Sequence, residues 1–125
     1  MPATTQSPAL VEQIEEYIRQ HSYWKNNILA TIKTGKSEFQ PADIAVDDRC
    51  AFGKWLYSAS DAVRADPHYE TVKRLHAEFH QKASKTLADA LSGRREQALE
   101  DLEKGEYSDA SAALILNMSR WRRSL

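Results

Sequence analysis

The sequence predicts an all-α fold: an antiparallel four-helix-type bundle with a short extra helix carrying Cys50 and a long loop crossing the bundle. Three observations predict it. Apolar residues recur at spacings of three and four over two long stretches, the period of a helix with one buried face. Ser7-Pro8 and Asp66-Pro67 each set a capping side chain ahead of a proline suited to the first helical position. No segment alternates apolar and polar residues as a half-buried strand would.

Residues 1–6 are expected to be frayed. The first helix starts at Ser7-Pro8 and carries Leu10, Ile14, Tyr17, His21, Trp24 and Ile28 on one stripe, with Gly35 as its terminator after Thr34. Residues 36–46 hold Phe39, Pro41 and Ile44 without a helical period, which predicts a loop pinned to the bundle by Phe39 and Ile44. Asp47 or Asp48 then caps a short helix bearing Cys50, Phe52, Trp55 and Leu56. A polar linker with room for one more helical turn leads to Asp66-Pro67. The helix that follows has Tyr69, Val72, His76, Phe79, Ala83, Leu87 and Ala90 on its seam. Gly93 marks a break. Residues 94–104 form a shorter helix with Ala98, Leu99 and Leu102 inward, ended by Gly105, and Ser108 caps a last helix bearing Ala113, Leu114, Met118 and Trp121.

At 125 residues, 42% hydrophobic and 28% charged, the chain suits one globular domain, residues 1–125, without disulfide staples. Its single cysteine cannot form an internal disulfide, and the start of the sequence has neither the basic nor the apolar run of a secretory signal. No apolar stretch approaches the roughly 18 residues needed to span a bilayer. These features predict a cytoplasmic protein with no membrane partner. A net charge of −1 argues against nucleic-acid binding, which needs a basic face. The basic end, Arg120 to Arg123, reads as cations complementing the last helix dipole.

The chemistry lies in three histidines and the lone thiol. His76 and His80 stand four residues apart on a helix, which puts both rings on one face about 6 Å apart along the axis. The pair does not match the zinc-protease motif, because Ala77 stands where the general-base glutamate would be. His21 occupies the apolar stripe of the first helix, where a lone histidine is more often a satisfied core residue. Cys50 falls in the first turn of its short helix, where the dipole and Arg49 would lower its pKa. Gly53 on the same face costs about 1 kcal/mol in a helix interior, which points to a close approach by a facing helix or a metal site. His68, off the seam, is expected to be exposed and uninvolved. Three imidazoles and a thiolate make a complete tetrahedral zinc set with no position left for substrate water, so no catalytic activity is expected. The residues alone leave open a zinc hydrolase with a vacant ligand position and a helical adaptor without metal; a two-iron helical oxygen carrier would need more histidines than the four present, one of them misplaced.

Three strings together, His21-x-x-Trp24, Cys50-x-Phe52-Gly53-x-Trp55-Leu56 and His76-x-x-x-His80, resemble the chemoreceptor zinc-binding (CZB) domain family. The resemblance implies a helical bundle that holds zinc through His21, Cys50, His76 and His80, with Trp24, Gly53 and Trp55 as supporting or packing residues. It further implies a sensory role, in which Cys50 is redox-sensing toward oxidants such as hypochlorous acid. The partners it implies are a second copy of the chain in a homodimer and a protein of a chemoreceptor or diguanylate cyclase system. No signalling helix or cyclase follows in this sequence, so either a free-standing sensor or an excised domain is expected.

Overall fold

A computed structural model of the chain describes residues 8–125. Among the described residues there are seven helices and no strand: α1 (Pro8–Thr34), α2 (Pro41–Ala45), α3 (Ala51–Tyr57), α4 (Asp61–Arg64), α5 (Pro67–Leu91), α6 (Arg95–Lys104) and α7 (Glu106–Ser124). The expected fraying of residues 1–6 and the cap at Ser7 lie outside the described residues. No helix among those described is long and apolar enough to cross a membrane.

The periodic stretches become the rods of a helical bundle. Ile14, Tyr17, Ile28 and Ile32 of α1 are buried, as are Val72, Phe79, Ala83 and Leu87 of α5 and Leu114, Met118 and Trp121 of α7. Burying each of the larger side chains stabilises the fold by about 2 kcal/mol. α6 and α7 follow one another along α5 in the opposite direction. Asp101 meets Lys85, Glu106 meets Lys82, the Tyr107 ring meets Phe79, and Trp121 meets Tyr69. The remaining side of the bundle is the broken run α2 to α4.

The ends follow local chemistry. Gly35 stops α1 with a φ of 73°, where L side chains are strained, and its N–H donates to the Thr31 carbonyl at 2.7 Å. Ser60 caps α4, the single turn expected inside the polar linker, and Asp66 caps α5 by accepting from His68 N–H.

Five boundaries or placements differ from the sequence expectation. The crossing loop contains α2, a helix too short to show a period, whose Ile44 is buried against α5. Phe39 pins the segment less deeply: its ring meets Trp24 at 4.9 Å, tilted, yet stays 40% exposed. On α6 the buried face is Ala98, Asp101 and Leu102, a three-and-four spacing that leaves Leu99 facing out. α7 begins at Glu106, with Gly105 rather than Ser108 at its cap position, so Ser108 lies inside the helix and Tyr107 reaches the core. His68 is half-buried and pairs with Asp66 at 2.9 Å instead of standing free.

Candidate metal centre

His21, midway along α1, and His76 and His80, one turn apart on α5, take positions on the seams that hydrocarbon fills elsewhere. All three are at least 98% buried. Cys50 enters from a third segment. It is not inside the short helix, as the sequence suggested, but caps it: Cys50 is extended, and its Sγ accepts from Gly53 N–H at 3.3 Å. Asp47 and Asp48 do not cap α3. The Asp47 carboxylate instead accepts from the Tyr57 hydroxyl.

The structure brings all four donors together, every pair within 4.8 Å. His76 Nε2 lies 3.1 Å from His21 Nε2 and 3.0 Å from His80 Nε2. Cys50 Sγ lies 3.3 Å from His76 Nε2 and 3.5 Å from His80 Nε2. With bonds of about 2.0 Å to nitrogen and 2.3 Å to sulfur, a tetrahedral zinc site has N–N edges of about 3.3 Å and N–S edges of about 3.5 Å. These four edges are close to those values.

The ring orientations suit the same purpose. His21 Nδ1–H donates to the Tyr17 carbonyl at 2.8 Å, and His80 Nδ1–H donates to the Ile44 carbonyl at 2.9 Å. Each bond places the proton on Nδ1 and leaves the Nε2 lone pair pointing into the cluster, the arrangement that metal-binding histidines require. His76 Nδ1 is buried with no hydrogen-bond partner. Lone pairs facing one another at 3 Å repel unless a proton or cation lies between them, and the donor set is that of zinc.

Burial keeps the rings neutral. It pushes His21 down to about 4, against the upward pull of the Tyr17 carbonyl and with a smaller downward push from His80. Burial, then His21 and His80, push His76 lower still. His80 is also lowered by burial, opposed by the Ile44 carbonyl and the Asp47 charge. The Cys50 thiol departs from expectation. Burial raises its pKa, and the N–H groups of Gly53 and Phe52 offset this only in part, so the helix end does not make it a free thiolate. A coordinated divalent cation would supply what the helix end does not, because it deprotonates a thiol outright.

Gly53 answers to a different neighbour than expected. A Cβ there would lie 1.8 Å from the Asp47 carbonyl oxygen, so the close approach is the chain's own backbone before α3, neither a facing helix nor the metal site. Trp24 meets Phe39 at a tilt, and Trp55 stacks on Phe52 at 5.8 Å while meeting Trp121 of α7 at 5.7 Å. The rings that touch the donors are Phe52, 5.0 Å from His76 and 5.6 Å from His21, and Phe79, 5.4 Å from His21. The sequence reading did not name either ring as a site residue, although Phe52 lies inside the Cys50-to-Gly53 string and Phe79 adjoins His80. The Tyr17 and Ile44 carbonyls were also missed, since a backbone acceptor carries no side-chain signature.

A family model described as the chemoreceptor zinc-binding domain matches residues 21–87, more than half of the chain, from His21 through all four donors. A search of curated proteins and a search of solved structures each found no match.

Proposed function

The chain belongs to the chemoreceptor zinc-binding domain family and is a zinc-binding domain; from that premise we propose that His21, Cys50, His76 and His80 hold one zinc ion, and that zinc occupancy or oxidation of Cys50 is a signal passed to a protein partner in chemotaxis or cyclic-di-GMP signalling. The observation that carries the reading is the convergence of three histidines and one Sγ from α1, the α3 cap and α5, with four of the six donor edges at 3.0 to 3.5 Å and every pair within 4.8 Å.

Four protein donors fill zinc's usual coordination and give a structural or sensory site rather than a catalytic one. Bound zinc supplies a cross-link between three chain segments, so its binding energy is also energy of folding. In the oxidative mode the Cys50 thiolate attacks the chlorine of hypochlorous acid, forming an S–Cl bond and releasing hydroxide. Water then displaces chloride, with loss of a proton, to leave a sulfenic acid, a poorer donor. Release of the Cys50 cap loosens α3, whose Trp55 rests against Trp121 of α7. This contact is the route by which the site's state would alter the α7 surface. The chain acts as a homodimer in this reading, and exposed Tyr23 and Leu116 are available to the second copy. Sedimentation of the zinc-loaded protein tests that part.

The main test is metal content of untagged protein and of Cys50→Ser and His76→Ala. One zinc per chain is expected, with affinity at least about a hundredfold weaker in either variant. Unchanged affinity in both would remove these residues from the site. Cys50 modification at stoichiometric hypochlorous acid, followed by mass spectrometry, tests the oxidative mode separately.

A further inference from the structure

The donors are not equally sealed. His21, His76 and His80 are 2, 0 and 2% exposed, whereas Cys50 is only half-buried. A cavity of about 180 Å³ ends on Cys50 and His80. Trp24, Phe39, Ile44 and Val46 wall it. Arg49 and Asp43, also part of its lining, are engaged with each other in an ion pair. Asp47 lies close enough to act on Cys50 electrostatically. A larger surface hollow, about 570 Å³ around Gly93 to Gln97, contains none of the donors.

These features define what can pass. The volume takes a molecule of a few heavy atoms, about six waters' share of liquid. Apolar walls give a charged solute nothing in return for its hydration shell. Arg49 is paired with Asp43 and Asp47 acts on the sulfur, so one cation faces two carboxylates and the balance of charge around the cavity disfavours an anion. Phe39 meets Trp24 with the ring planes 59° apart and is partly open to solvent.

We propose that this cavity is the entry site through which small uncharged solutes reach Cys50 Sγ, with Phe39 as its movable wall. The inference rests on the reading of Cys50 as a reactive donor and adds to it a filter on the size and charge of what reaches the sulfur.

The test uses two methanethiosulfonate reagents of the same chemistry on the zinc-loaded full chain, the uncharged methyl reagent and the anionic sulfonatoethyl reagent. In each the Cys50 thiolate attacks the sulfenyl sulfur, a new disulfide forms and methanesulfinate leaves. Rates are divided by those of 2-mercaptoethanol. The normalised preference for the uncharged reagent is expected to exceed tenfold. Phe39→Ala should speed the anionic reagent at least fivefold and narrow the preference, and Phe39→Trp should slow the uncharged reagent. Equal normalised rates, a Cys50 inert to the uncharged reagent, or rates indifferent to both Phe39 variants would overturn the proposal. Zinc content of the same samples reports on the metal site independently: a zinc-loaded chain without the preference sinks the entry site alone, and a preference without zinc sinks the metal reading alone.

Discussion

Toward its C-terminal end α5 buries Asp89 beside Asp101 of α6, and the Lys85 ammonium lies 3.8 Å from one and 3.4 Å from the other, with Arg94 3.5 Å from Asp89. One turn before Ser84 on the same helix, His80 meets His76, His21 and Cys50 with no counter-charge among them. Both regions bury polar atoms in a hydrocarbon core. The first sets cations of its own chain against its carboxylates, although Asp89 Oδ2 keeps no hydrogen-bond partner. The second assembles only donors, so its balance comes from a cation supplied from outside. The comparison shows that one helix can carry a junction balanced by its own chain and one that needs a cation from outside.

The largest expected difference between the regions comes from metal removal. A chelator should lower the melting temperature by on the order of 10 °C or more, because a ligand at a thousand times its Kd adds about 4 kcal/mol to the folded state. Hydrogen exchange should rise most at α3 and around His21, and least at the Lys85–Asp101 junction. An unchanged melting temperature would erase the distinction.

Acid comes next. The buried histidines have folded pKa values below the ordinary 6.5, so their contribution is present above 6.5 and is lost as the pH falls, when the unfolded chain takes up protons that the folded chain refuses. For His21 alone the loss approaches something on the order of 3 kcal/mol by pH 4. Lys85 behaves in the opposite sense. Asp101 raises its pKa, so its contribution is present below the ordinary lysine range and fades as the pH rises through the raised value. Denaturant unfolding of metal-free protein across pH separates the two, and an acid limb missing from it would contradict the neutral-imidazole cluster.

Gly53→Ala should cost about 1–3 kcal/mol, because the added Cβ must displace the Asp47 carbonyl, and it should weaken zinc binding by moving the Cys50 cap. Lys85→Met is the mildest, no more than about 1 kcal/mol with zinc affinity unchanged, given a side chain 56% exposed. Equal effects of these two substitutions on zinc affinity would show that the regions are coupled rather than separate.

The contrast was only half legible in the sequence. His21, His76 and His80 could be found because each interrupts a long apolar stripe, and the stripes themselves gave α1 and α5 nearly to the residue. Cys50 could be found as the lone thiol, but not as a cap, since the choice between Asp47, Asp48 and Cys50 depends on how the backbone before α3 folds over Gly53. α2 is too short to have a period, and its contribution to the site, the Ile44 carbonyl, has no side-chain signal. The Lys85–Asp101 junction was invisible, because nothing in the sequence singled out Asp101, and Leu99 was expected on the core face. Only packing against Lys85 and Gln97 inverts them.

X-ray absorption at the zinc edge of the loaded protein tests the central claim most directly. Three nitrogens near 2.0 Å and one sulfur near 2.3 Å are expected, with the sulfur contribution lost in Cys50→Ser. A spectrum with no sulfur neighbour, or with a light-atom ligand in its place in the unmodified protein, would contradict the account.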